Sequence, residues 1–118
     1  MWSINVTETF KAWLRSLDET DRASVYAAIL LLREAGPMLS RPYVDTLKGS
    51  RYGNLKELRI QSRGMPLRAL FAFDPWRKGV LLCAGNKVGN EKRFYETMIP
   101  LAEKEYTHYL KVQEKKEL

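Results

Sequence analysis

The stretch from Leu47 to Lys87, LKGSRYGNLKELRIQSRGMPLRALFAFDPWRKGVLLCAGNK, restricts the fold more than any other part of the chain. Three runs rich in apolar residues, Leu55–Gln61, Leu67–Phe73 and Val80–Ala84, follow one another at short intervals. Parallel neighbours need a long crossover, so runs this close can pair only as antiparallel hairpins. Ser62-Arg63-Gly64-Met65-Pro66 supplies one turn and Asp74-Pro75-Trp76-Arg77-Lys78-Gly79 the other. A three-stranded meander follows, carrying Arg59 and Arg68, with Lys87 just past its last strand.

The flanks are helical. Trp2, Ile4 and Val6 alternate with polar residues, which predicts an opening strand over Trp2–Val6. Thr7 is placed to cap a helix whose buried stripe is Phe10, Trp13, Leu14 and Leu17. Asp18 and Asp21 put an acceptor and negative charge at the start of a second helix, with Val25, Ala28, Ile29 and Leu32 inward. Gly36-Pro37 ends it. The short joint between Leu17 and Asp21 makes the pair a hairpin. Leu39–Tyr52 has no period and reads as a loop with Val44 and Leu47 tucked inward. Gly89-Asn90 precedes a final helical region from near Glu91, with Ile99, Ala102, Tyr106 and Leu110 as its apolar stripe. Pro100 predicts a kink or restart there, and fraying is expected from Lys111 onward. The fold class is α+β, a helical hairpin and a C-terminal helix packed on a mainly antiparallel sheet.

With 118 residues the chain is expected to form one domain over 1–118, with an ordinary core and no need for disulfide or metal staples. No run approaches a membrane span, and Ala27–Leu32 is short and flanked by charge. The start does not resemble a secretory signal. The single cysteine, Cys83, lies in an expected buried strand, so its thiol reads as structural and the setting as cytoplasmic. The net charge of +6 is uneven: residues 41–93 carry +8 and the remainder −2. A basic middle on a nearly neutral scaffold is the footprint of a polyanion partner.

One histidine, His108, and one distant cysteine give no cluster with metal-ligand spacing, and the same shortage argues against a serine or cysteine hydrolase with a histidine base. Neither metal nor cofactor is expected. Lys48-Gly49-Ser50 lacks the upstream glycine and following helix of a phosphate-binding loop. What remains is a basic constellation with tyrosines. Hairpin register can bring Arg59 and Arg68 together, while alternation places Glu57 beside Arg59 and Lys56 on the opposite face. Arg59 and Arg68 each have the alternative of merely pairing with Glu57 or Asp74 as structural ion pairs. Phe94 and Tyr95 could stack on a base, or one of them could cap the core.

The blocks LKGSRYGNLKELR, RALFAFDP and AGNKVGNEKRFYETMIPLAEKEYTHYL, in that order, resemble the HigB-like, phage-derived Gp49-like branch of the RelE/ParE toxin superfamily, over about Phe10 to Leu110. The resemblance implies a fold of strand, helical hairpin, three-stranded meander and final helix. It implies a toxin of a type II toxin–antitoxin system, a ribosome-dependent endoribonuclease (mRNA interferase) whose partners are the ribosome, mRNA and a co-encoded helix-turn-helix antitoxin of the HigA type. RNA can be cut without metal when its own 2′-hydroxyl attacks the adjacent phosphate, given a base, an acid and cations around the phosphorane. By position, the resemblance implies Arg68 against the scissile phosphate, with Arg59 and Lys87 as further basic residues and Tyr95 as the C-terminal aromatic. Glu57 stands where some members carry lysine, and no histidine or aspartate occupies the Gly85-Asn86-Lys87 corner. That departure at Glu57 either supplies a general base or lowers the positive charge; the expected assignment is Glu57 as base and Lys87 or Tyr95 as acid. Lys48, Arg51, Lys56, Arg63, Arg93 and Phe94 are the expected RNA contacts. Two other readings share the fold: a ParE-like DNA gyrase poison and an inactive phage-derived binding protein.

Overall fold

The computed structural model describes residues 1–117. Its elements run β1 (Ile4–Val6), α1 (Glu8–Ser16), α2 (Glu19–Ala35), a 3-10 turn (Gly36–Met38), β2 (Val44–Thr46), β3 (Lys56–Ser62), β4 (Met65–Phe73), β5 (Gly79–Asn86) and α3 (Glu91–Glu117). The expected meander is β3–β4–β5, with boundaries shifted by a residue or two from the apolar runs. One five-stranded sheet has the order β1-β5-β4-β3-β2, antiparallel except for β1, which runs parallel to β5.

Local chemistry sets the helix starts. The Thr7 hydroxyl accepts the Phe10 amide at 3.1 Å, and the Asp18 carboxylate accepts the Asp21 amide at 2.9 Å. The Asn90 side chain accepts the Arg93 amide at 3.0 Å and opens α3. At the end of α2, Gly36 has φ of 58°, and an added Cβ would lie 2.3 Å from Trp2 Nε1. Both the left-handed backbone and the close indole require glycine there.

The sheet is filled on both faces. Phe10, Val25, Leu32, Leu58, Ile60, Phe71 and Leu81 form the core under the helical hairpin. Leu55, Leu70, Ala72, Val80, Leu82, Cys83, Ala102 and Tyr106 form the core under α3. A β-bulge makes this possible: Leu70 pairs with Cys83 and Phe71 with Leu81, which leaves Leu82 as the extra residue. Leu82 and Cys83 consequently both sit under α3.

Three expectations are corrected. Leu39–Tyr52 is not all loop, because Val44–Thr46 pairs with Leu58, Glu57 and Lys56 as an edge strand. The opening strand is shorter than expected, and Val6 is partly exposed while Trp2 stacks edge-on against Phe73 at 5.2 Å. Pro100 neither ends nor restarts α3, and the helix continues past Lys111 to Glu117. Proline costs a helix interior about 3 kcal/mol. Burial of Met98, Ile99, Leu101, Ala102 and Tyr106 on either side offsets it.

Candidate active site

Strand alternation delivers the first side chains. Glu57 pairs with Leu70 and Arg59 with Arg68, so all four point to the face that α3 covers. At this end of the sheet the apolar core gives way to charge. Lys87 follows β5, its amide held by the Pro66 carbonyl at 2.9 Å. The first turns of α3 then cross above. Phe94 lies against Gly85, where an added Cβ would come within 3.1 Å of its ring, and meets the Tyr95 ring edge-on at 5.2 Å. Phe94 thus joins the core, while Tyr95 reaches inward to Glu57.

Glu57 is the hub, with only 4 % of its surface exposed. Tyr95 Oη donates a short hydrogen bond to Glu57 Oε1, and Arg59 Nε donates to Oε2 at 3.0 Å. Arg59 Nη2 also donates to Asp45 Oδ2 at 3.1 Å, and the exposed Arg41 joins the same oxygen at 3.1 Å. The chain Arg41–Asp45–Arg59–Glu57–Tyr95 therefore links β2, β3 and α3 through alternating charges that end on a phenol. The Arg41 hydrogen bond holds the Asp45 carboxyl below its ordinary value, despite some desolvation. Burial, then the bond donated to Glu57, pushes the Tyr95 phenol above its ordinary value, so the proton stays on oxygen.

Arg68 is held differently. Its Nη1 donates to the Leu67 carbonyl at 3.0 Å, and its buried Nε has no partner among the described residues. Lys87 Nζ sits 3.3 Å from Glu91 Oε1 and 5.8 Å from the centre of the Tyr95 ring. The arrangement offers a carboxylate, a protonated phenol, an ammonium and two guanidiniums within one end of the sheet. It can hold an anion and exchange protons beside it.

The other expected positions are dispersed. Lys56 points to the opposite face, as alternation requires. Arg63 sits at the β3–β4 turn with φ of 50°, and its guanidinium reaches Asp18 at 2.9 Å and Asp21 at 2.8 Å beside α2. It is committed to that joint and already neutralised. Arg93 is exposed in the first turn of α3. Lys48 and Arg51 lie on the loop beside α3, with Arg51 Nη2 donating to Thr107 at 2.5 Å. Sequence reasoning misses Asp45 and Arg41. Recognising β2 would supply the signal, since Asp45 then falls opposite Glu57.

The sequence profile of a family described as phage-derived protein Gp49-like matches residues 12–107. Two candidate toxins of Mycobacterium tuberculosis are similar. HigB2 is 44% identical over 110 residues, covering 92% of this chain and 54% of HigB2. HigB3 is 45% identical over 98 residues, covering 83% of this chain and 84% of HigB3. The chain thus spans about half the length of the first and most of the second. Among solved structures, a mutant of the Escherichia coli toxin RelE in its free state gives a TM-score of 0.56 at 15% identity, covering 76% of this chain and 87% of RelE. The archaeal RelE–RelB complex of Pyrococcus horikoshii gives 0.54 at 18%, covering 74% and 96%. At those identities the likeness concerns the fold.

Proposed function

This chain belongs to the phage-derived Gp49-like family, in the HigB-like branch of the RelE/ParE superfamily, and from that membership we propose that it is the toxin of a type II toxin–antitoxin pair and a ribosome-dependent mRNA endonuclease. The toxin designation of its two mycobacterial relatives supports the first part. A co-encoded antitoxin, a helix-turn-helix repressor of the HigA type, is the corresponding partner.

The observation that carries the enzymatic reading is Arg68. A guanidinium with a buried, unpartnered Nε is costly in the free protein, and a phosphate oxygen is its natural complement. Arg59 stands directly opposite, so a phosphodiester placed between them meets the Arg68 guanidinium beside that of Arg59, whose Nε and Nη2 already serve Glu57 and Asp45. The RNA 2′-hydroxyl attacks the adjacent phosphorus and Glu57 takes its proton. Arg59 and Arg68 stabilise the charge gathering on the phosphorane oxygens. The P–O5′ bond breaks, leaving a 2′,3′-cyclic phosphate, and the departing 5′-oxygen takes a proton from Tyr95 or Lys87. An alkoxide is far more basic than a phenolate, so Tyr95 can donate despite its raised pKa.

Induction of the wild type and of Arg68→Ala in bacteria, followed by mapping of RNA 5′ ends, tests the reading. Cuts confined to translated frames and lost in Arg68→Ala are the expected result. Growth arrest with intact messages and broken DNA would move the chain to the gyrase-poison class. Absence of both effects would leave an antitoxin-binding protein without activity, in which Arg59–Glu57 is a structural pair.

A further inference from the structure

Arginine and a carboxylate commonly pair through two parallel N–H groups, one to each oxygen. Arg59 and Glu57 do not. Arg59 gives Glu57 only Nε, at 3.0 Å from Oε2, and turns Nη2 to Asp45 Oδ2 at 3.1 Å. Glu57 Oε1 is thereby left to the Tyr95 hydroxyl. One guanidinium is divided between two carboxylates, and Glu57 keeps an oxygen outside the ion pair.

The division is built into β2. Asp45 pairs with Glu57 across the β2–β3 ladder, so the two carboxylates lie side by side on one face, with Arg59 two residues along. The Arg59 amide donates to the Tyr43 carbonyl at 2.8 Å and holds the start of β2 against β3. The Thr46 amide donates to Asp45 Oδ1 at 2.9 Å, which orients the carboxylate and leaves Oδ2 to the arginines. A bare carboxylate here would repel an incoming phosphodiester. Arg41 offsets that charge, meeting the same Oδ2 at 3.1 Å with a side chain that is 75 % exposed. Asp45 therefore steers Arg59 without making the site less positive.

We infer that Asp45 is a positioning residue for the candidate reaction: it holds Arg59 Nη2 away from Glu57, so that Glu57 keeps Oε1 for proton transfer. The inference rests on the endonuclease reading, in which Glu57 takes the 2′-hydroxyl proton. Without Asp45, Nε and Nη2 close together on both oxygens of Glu57, and Tyr95 loses its acceptor. The base is then occupied by an ion pair. Asp45 lies on an edge strand and belongs to neither core, so its loss leaves both cores packed.

The test is a double-mutant cycle on the full chain, with Asp45→Ala made in the wild type and in Arg59→Lys. A lysine ammonium cannot close a fork on Glu57. Single-turnover cleavage in a translating extract should fall about tenfold or more in Asp45→Ala, with the half-saturating protein concentration unchanged. In the Arg59→Lys background the same substitution should cost nothing further. A second readout needs no activity. With tyrosine labelled at the ring carbon bearing the hydroxyl, the Tyr95 NMR signal, assigned with Tyr95→Phe, should move in Asp45→Ala and stay put when Arg59 is already lysine. Equal losses of rate in both backgrounds, or an unmoved Tyr95 signal in Asp45→Ala, would overturn the inference and leave Asp45 a structural partner of Arg59. If Tyr95 responds as expected but the wild type cuts no message, the endonuclease reading fails, and the divided arginine is a feature of the scaffold alone.

Discussion

Arg59 and Arg68 are direct partners across the β3–β4 ladder, yet Arg59 touches two carboxylates and Arg68 touches none among the described residues. Like charges directly opposite in a sheet repel. The sheet therefore keeps one guanidinium neutralised and the other poised, at a cost in stability. On the proposed reading, Arg68 is the guanidinium left for the phosphate.

Replacing Arg68 with methionine should raise stability while abolishing activity. The flexible apolar chain keeps much of the volume and removes both the repulsion and the unpartnered Nε. A gain of about 1 kcal/mol is expected from urea unfolding. A destabilised variant would mean that Arg68 belongs to the scaffold instead.

Glu57→Gln and Tyr95→Phe address the proton transfers. Each should lower single-turnover cleavage in a translating extract by about 100-fold or more. Tyr95→Phe leaves Glu57 Oε1 without its donor, so a loss of about 1 kcal/mol in stability should accompany it. Because the phenol is held above its ordinary value, the wild-type rate should show no alkaline fall from Tyr95 below about pH 10. Full activity in Tyr95→Phe would assign the acid to Lys87.

Acid should weaken the joint between the β3–β4 turn and α2. Asp21 is buried and accepts from the Ser62 hydroxyl at 2.6 Å and from Arg63 at 2.8 Å, and these bonds, Ser62 first, depress its pKa. A depressed carboxylate stabilises above its unfolded value, and the contribution disappears as pH falls through the folded one. The gap in unfolding temperature between wild type and Asp21→Asn should therefore be full near neutrality and shrink below about pH 4. A gap independent of pH would show that the ion pair contributes nothing.

Cys83 should resist alkylation. It is 1 % exposed, and burial, with Glu105 adding to it, pushes the thiol up to about 12. Iodoacetamide at neutral pH should label the unfolded chain readily and the native chain only at the rate of opening. Rapid native labelling would mean that the core under α3 opens on its own.

The meander and both helix caps of the hairpin are legible in the sequence because their signals are local: short spacings, turn residues, Thr7 and Asp18. β2 is not, since three residues between Arg41-Pro42 and Lys48-Gly49 carry no usable alternation, and its pairing depends on β3. Continuity through Pro100 is hidden for a related reason, because apolar residues buried on the sheet decide it. Within the candidate site, alternation suffices to put Glu57 and Arg59 on one face. Tyr95 lies 38 residues from Glu57, and no spacing rule announces their bond. Arg63 shows the converse. Its charge fits an RNA-facing role in the sequence, but the turn delivers it to Asp18 and Asp21.

The parallel pairing of β1 with β5 has a consequence for synthesis. Ile4–Val6 can find its sheet partner only after Gly79–Leu81 has emerged, and roughly 4–15 s of elongation separate the two at ordinary rates. The remaining helix, which brings Tyr95 over Glu57, emerges later still. A nascent chain thus pairs Arg59 with Arg68 in the local β3–β4 hairpin before α3 can bring Tyr95 over Glu57. On the proposed reading, such a chain lacks one of its two candidate proton donors until α3 docks.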